Sequence, residues 1–511
     1  MTENKRTIGT GPIGKAAQHR LRALQALAGA PGFAGSDNDP AWYLTTTAIE
    51  SVAAGDVPDS IRARIAELVF SFREKPLLLR TDRGDVFGGV PPTLAAAADD
   101  TVAVQPLLDA IRDCVRRSGD PCPMMVMPVP GRVHGKYFFP DISALACTQN
   151  PYVWNEYMSA DGGVVRIVCG LSTRFNDRSG NDYSRIVALD APERRPETNT
   201  DQVARYSQRK LDCLDMETGE IENLYLSDIL ADMPEFPADL LLTDDARPSP
   251  LTGKPGKILT LDPLLKRSPL LENIEEWMKR IRDALGTDIR AELSTQATPD
   301  GSAPVQLVAC RPMRVVEAEV PDGAKALFSA QGAVMGYSRE AKIDRIVYVS
   351  PKGYSGMPVN RRSEVARAIG RINKACKDMG LLLLGPGRWA TSSAELGIPV
   401  SFTEIGNATV IGEIAEMHDT LKPEISYGSH IFNELVAMNI LYLAISPGKA
   451  HNDFDDTVFS DARNLLTELV PGVEDLADIV RVIDAETLAG AGQTVTLKAD
   501  TRAQRAVAYI N

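Results

Sequence analysis

The chain has 511 residues, 55 Lys+Arg against 68 Asp+Glu, a formal net charge of −13 and 44% apolar residues. That length predicts roughly three domains with substantial cores, at about 100–200 residues per domain. The acidic balance excludes nucleic acid as a partner, because phosphate-backbone binding needs a surplus of Lys and Arg, and leaves room for a local basic pocket.

The seven cysteines are odd in number and scattered, with no Cys-x-x-Cys pair, which reads as reduced thiols rather than a disulfide frame or zinc ribbon. The five histidines include no i, i+4 pair, so no His-Glu-x-x-His zinc site is expected. A Gly-x-Ser-x-Gly elbow is also missing. No apolar run reaches the eighteen or so residues that span a bilayer, and Arg22 and Gln25 interrupt any signal-peptide core near the basic N-terminus. A soluble cytoplasmic protein with no membrane partner is the expectation.

In chain order, a Gly-rich start (Gly9 to Lys15) runs into an Ala/Leu helix that stops at the Gly29–Gly35 cluster. After Pro58, Ile61, Ile65, Leu68, Val69 and Phe72 share one helical face. The strand PLLLRT (Pro76 to Thr81) leads into a glycine turn, Gly84 to Val90. A helix is predicted at about Pro106 to Val115 and a strand at Pro123 to Val129. From there to about residue 195, β-rich runs alternate with Gly, Asn and Asp turns. Residues 232–270, rich in Pro, Asp and Lys, read as a long loop. A helix (Asn273 to Leu285) then precedes strands at Ile289–Ser294 and Val305–Cys310. Beyond Arg314 the pattern becomes strand, loop, helix, strand, with a domain boundary near residue 315. There the helix SEVARAIGRINKACKDMG closes at Gly380, and LLLLGPGRW is a strand entering a Gly loop.

Several positions carry candidate chemistry. Gly9, Gly14 and Lys15 satisfy the G-x-x-x-x-G-K part of a phosphate loop, although Ala16 stands where a magnesium-binding Ser/Thr belongs. Arg80 closes an apolar strand before a loop carrying Gly84, Gly88, Gly89 and Thr93, a cation beside exposed backbone N–H groups. Glu292 and Arg311 lie on successive β-rich segments, and antiparallel pairing would set a hard oxygen ligand for magnesium beside a phosphate-binding arginine. Arg388 follows Gly385 and Gly387 at the end of a buried strand, either an anion site or a tight turn around Trp389. His430, after the N-cap candidate Ser429, has a nitrogen titrating near neutrality and reads as phosphoryl acceptor or acid/base, or as a capping and packing residue.

Taken together, Lys15 in IGKAAQHRL, Arg80 in PLLLRT, the turn VFGGVPPT, the strand PMMVMPV, the stretch HGKYFFPDISALACTQNPY and the pair Glu292…Arg311-Pro312 stand in an order that resembles the ATP-binding domain of phosphoenolpyruvate synthases and pyruvate phosphate dikinases. The resemblance covers about residues 8–315. It implies an α/β and α+β chain: an ATP-grasp-type nucleotide-binding domain in two halves, 1–125 and 126–315, then a smaller α/β C-terminal domain at 316–511. It also implies that Lys15 and Arg80 hold ATP phosphates, Gly89 and Thr93 contact the polyphosphate, Met127 faces the adenine, Glu292 binds Mg2+ and Arg311 stabilises the transferring phosphoryl group. The chain departs from the family at Met127 (usually Gln), at Pro92 (usually acidic) and at Ala309, where the family has a second metal-contacting Gln. No phosphohistidine segment of the Gly-Gly-x-x-Ser-His-Ala-Ala type occurs, and residues 316–511 are too few for both that domain and the barrel of full-length members.

The function expected is therefore an ATP- and magnesium-dependent phosphotransferase, kinase or dikinase-like, acting on a small molecule or a histidine acceptor. Two alternatives remain: an ATP-binding regulator with weakened catalysis, and a ligase working through an acyl phosphate. The apolar C-terminal helices permit a homodimer without demanding one.

Overall fold

A computed structural model of the chain describes residues 6–34, 40–72, 75–81, 100–154, 157–176, 182–248, 255–298, 303–416 and 431–511. It is a mixed α/β structure built on several sheets. Among the described residues, no helix is long and apolar enough to cross a membrane.

The first sheet has the strand order Thr7–Ile8, Trp42–Leu44, Met124–Pro128, Leu77–Thr81. Its strands are apolar on both faces because both faces are covered. Trp42, Leu44, Leu77, Leu79, Met124 and Val126 pack against the helices Thr46–Ala54, Asp59–Ser71 and Asp100–Ser118. The alternate residues Tyr43, Leu78, Met125 and Met127 enter the core of the following unit. Period-two alternation thus sends Arg80, two residues after Leu78, toward the second unit.

That unit is centred on a five-stranded antiparallel sheet ordered Val305–Pro312, Ile289–Thr295, Ile142–Cys147, Val164–Val168, Arg185–Ala188. Ala146, Val165, Val187, Ala291 and Cys310 face a core shared with the helices Lys15–Ala26 and Leu270–Leu285. The N-terminal helix is therefore early in sequence but belongs in space to the second sheet. Trp277 anchors this layer: its side chain is fully buried, its Nε1 donates to Pro31 O at 3.0 Å, and its ring stands edge-on to Phe33.

The C-terminal unit holds a six-stranded sheet, Val334–Met335, Leu441–Ile445, Val410–Ile414, Leu381–Pro386, Arg345–Val349, Val480–Asp484. The four central strands are parallel and the two outer pairings antiparallel. The helices Arg362–Ala375 and Phe432–Met438 cover one face. A four-stranded antiparallel sheet, Lys325–Gln331, Arg505–Ile510, Val495–Asp500, Arg339–Ile343, covers the other. The uninterrupted Leu381–Leu384 run reflects burial on both sides. This unit docks on the second sheet, where Cys147, Val164 and Ile186 join a core with Tyr152, Met335 and Phe432. Tyr206 Oη donates to Glu434 Oε1 at 3.0 Å and Asn433 Nδ2 to Glu197 Oε1 at 3.0 Å across the same junction.

Three local expectations change. Residues 232–270, read as a loop, contain the short helices Ala238–Leu241 and Asp262–Arg267 and a hairpin pairing Leu242–Pro248 with Pro255–Leu259. The helix expected at Pro106–Val115 spans Asp100–Ser118 and carries Pro106 inside it. The helix expected to close at Gly380 ends at Ala375, and Asp378 takes the left-handed conformation at φ 64. Gly380 is needed for space instead: a Cβ there would lie 2.1 Å from Lys342 O.

Trp277→Ala removes a fully buried ring that joins both helices to the second sheet. It should lower unfolding stability by about 3–5 kcal/mol, read from the denaturant midpoint at unchanged slope.

Candidate functional site

The site forms where the second sheet presents its other face to the first. Register puts side chains on that face in rows. Arg290 lies opposite Arg311 on one side and Cys147 on the other; Glu292 lies opposite Ala309 and Leu145; and Leu145 lies opposite Arg166. Residues paired directly across antiparallel strands share a face, so Arg166, Glu292, Arg290 and Arg311 project together.

Arg80 reaches this face from the first sheet and pairs with Glu292 through Nη2 and Oε2. Both side chains are nearly enclosed, at 3% and 13% exposure. Burial by itself pushes the Glu292 pKa up. Arg80, by charge and hydrogen bond, with Arg290 and Arg311 behind it, outweighs this and holds the carboxyl below the ordinary glutamate value. Arg311 Nη2 donates to Thr81 O at 3.3 Å, so the strand end that carries Arg80 is tied to both strands of the Glu292 hairpin.

A further arginine braces the same junction. Arg20, 2% exposed on the N-terminal helix, donates to Val308 O at 3.0 Å, Leu307 O at 2.9 Å and Tyr43 Oη at 3.1 Å. It satisfies carbonyls of the last strand while touching the first sheet.

Three spaces run along this seam. A cavity of about 610 Å3 is lined by Met127, Pro128, Val129, Phe33, Phe72 and Arg20, among others. A space of about 20 Å3 lies among Gly14, Ala16, Arg20, Arg80, Thr81 and Arg311, at the N-terminal end of the Lys15–Ala26 helix. A cleft of about 390 Å3 lies beyond it, reached by Arg80 and Glu292 and closed by residues of the C-terminal unit. Arg20 borders the first two and Arg80 the last two.

Lys15 is exposed at the first position of its helix, beside the two residues, Gly14 and Ala16, that line the small space. The dipole of that helix end favours an anion there. Arg80, Glu292 and Arg311 thus gather at one seam, Lys15 stands on the helix whose first turn borders it, and Met127 lines its larger end. Arg388 stands elsewhere, on the Arg388–Trp389 strand beside Gly397–Ile398 and outside all three spaces. There Gly387, at φ +63, could carry a Cβ only 2.4 Å from Leu396 O, and buried Trp389 donates Nε1 to Gly412 O at 3.1 Å. Gly89, Thr93 and His430 lie outside the described residues.

Sequence reasoning passed over Arg20, Arg166 and Arg290. Arg290 and Glu292, two apart in a strand, share a face by the period of two, and this was the available signal. For magnesium, the donor set is small. Among the described residues no three His, Cys, Asp or Glu side chains converge, and Glu292 is the one carboxylate lining these spaces. One carboxylate fits an ion that arrives on nucleotide phosphates and keeps its waters, rather than an all-protein cage.

Removing one partner of a buried pair strands the other charge. Glu292→Ala should therefore cost about 3–5 kcal/mol of stability near neutral pH. Because the folded Glu292 pKa is depressed, its contribution is present above the unfolded value of about 4.3 and fades as pH falls through the folded one. Urea unfolding of wild type and Glu292→Gln from pH 7 down to pH 3 should show the two curves converging below about pH 4.

No protein-family model matches the chain, and no curated protein is similar to it.

Proposed function

We propose that the protein is an ATP- and magnesium-dependent phosphotransferase with an ATP-grasp-type nucleotide site. The base would sit in the 610 Å3 cavity against Met127–Val129 and the phosphates would extend toward Lys15, Arg80 and Arg311. The observation that carries this reading is the convergence of Arg80, Glu292 and Arg311, drawn from three strands of two sheets, on a seam bordered by the first turn of the helix that begins at Lys15.

The chemistry follows from phosphoryl transfer, whose transition state asks for alignment and charge neutralisation more than for covalent help. Lys15 and the helix end hold the outer phosphates, Arg80 and Arg311 flank them, and Glu292 shares a magnesium ion borne by the nucleotide. That ion, when bound, neutralises charge on the phosphate oxygens. The 20 Å3 at Arg80 and Arg311 holds about one water. Entry of a triphosphate therefore requires the first and second sheets to part and Arg80 to exchange Glu292 for phosphate.

A second reading, an ATP-binding regulator of low turnover, is favoured by one observation. Ala309 faces Glu292 in register, so no second ligand stands there. Incubation of the purified protein with ATP, Mg2+ and a broad metabolite panel, with AMP and ADP resolved by chromatography, separates the two. The phosphotransferase reading expects acceptor-dependent nucleotide product, reduced about 10²–10³-fold in kcat by Arg311→Ala. Tight ATP binding without product across the panel supports the regulator.

A further inference from the structure

Among the described residues, the 390 Å3 cleft on the far side of Glu292 is lined by more cationic than anionic side chains. Its charged lining is Arg80, Arg166 and Arg290 against Glu292, which Arg80 already engages. Arg166, 5% exposed, is fixed by its Nε donating to Ser184 Oγ at 3.1 Å and by the Phe175 ring 5.3 Å from its guanidinium carbon. Its two terminal nitrogens make no hydrogen bond with a described residue, and half-buried Arg290 makes no hydrogen bond or ion pair with one. Two arginines held in a recess whose one described carboxylate already pairs with Arg80 lose hydration that an entering anion would offset. Their planar forks match an oxyanion.

The opposite wall comes from the C-terminal unit. Asn439, left-handed at φ 52, is pinned by Arg339, which donates to its backbone O and to its Oδ1, both at 3.0 Å. That leaves the Asn439 amide N–H groups as donors at the cleft. Tyr337 stands beside it, its Oη 3.9 Å from Cys147 Sγ. The volume exceeds what an inorganic anion fills, and Leu145, Phe175 and Ala437 supply apolar wall for a carbon skeleton.

We infer that this cleft is an oxyanion-binding site for a small phosphorylated organic molecule, its phosphate held by Arg166 and Arg290 and its body by the C-terminal unit. Such a molecule is the acceptor only if the phosphotransferase reading holds; the binding site itself does not depend on that reading. The arginines come from adjacent rows of one sheet face, and the covering unit turns an open face into a recess.

Calorimetric titration of the full chain with glycerol 3-phosphate and with inorganic phosphate, and with glycerol as the uncharged control, tests the inference. Both phosphates should bind and glycerol should not. Arg166→Gln and Arg290→Gln should each weaken binding at least about tenfold, with Arg290→Lys intermediate. ATP should not displace glycerol 3-phosphate. If buried Arg166→Gln fails to fold, half-exposed Arg290→Gln decides the matter. The inference is overturned if a folded wild type binds neither phosphate, if Arg290→Gln leaves binding unchanged, if inorganic phosphate binds but the ester does not, or if ATP displaces the ester. Absence of ATP binding in wild type would sink the phosphotransferase reading while leaving the anion data intact.

Discussion

The buried pair of Arg80 and Glu292 is the constraint around which the first two units are arranged. The partners are 212 residues apart and lie on different sheets. Neither charge survives burial cheaply alone, so each fixes where the other's strand must end. Arg80 arrives because alternation along Leu77–Thr81 turns Leu78 and Arg80 to one side and Leu77 and Leu79 to the other. Arg311, bonded to Thr81 O, and Arg20, bonded to Leu307 O and Val308 O, brace the same junction from either side. Among the described residues lining the seam, one carboxylate, Glu292, stands among Arg20, Arg80 and Arg311 within a chain of net charge −13. That local excess is what makes a phosphate ligand physically reasonable in an acidic protein.

The second sheet does two jobs with its two faces. One face is apolar and packs on the helices containing Trp277 and Leu24. The other carries Arg311, Arg290, Glu292 and Arg166 and, in the same cross-strand rows, Cys147, Val164 and Ile186, where the C-terminal unit docks. Beside that docking contact a cleft remains at Arg166, Arg290 and Glu292, walled by Tyr337, Ala437 and Asn439. The Tyr206–Glu434 and Asn433–Glu197 contacts lock the docking in place, using Glu434 whose carboxyl burial holds above its ordinary value.

Much of the local structure was legible in the chain itself. Apolar runs bounded by turn residues marked the strands at Leu77, Met124 and Leu381, and helical patterning marked the helix after Pro58 and the one expected from Asn273 to Leu285, which begins at Leu270. The hairpin in 232–270 was not legible: its polar, Pro-containing strands pair with each other and lack a periodic apolar face. Lys15, Arg80, Glu292 and Arg311 were visible as cations and a carboxylate beside turns or strand ends. Arg166 was not, since a charge in the middle of an apolar strand gains meaning only from the rows beside it, and Arg290 was marked only by its spacing of two from Glu292. Arg388 had the same local signature as Arg80, yet lies beside a packed tryptophan, away from the seam.

By itself the sequence determined which segments are strands, which helices are amphipathic, and which few basic residues interrupt an acidic, apolar chain. Those properties depend on neighbours two to four positions away, and short-range periodicity records them. Tertiary structure decided that Arg80 meets Glu292, that Arg290 and Arg166 share their face, and that the C-terminal unit roofs a cleft over them. Strand register and sheet docking join residues hundreds of positions apart, and no local pattern encodes a pairing at that range.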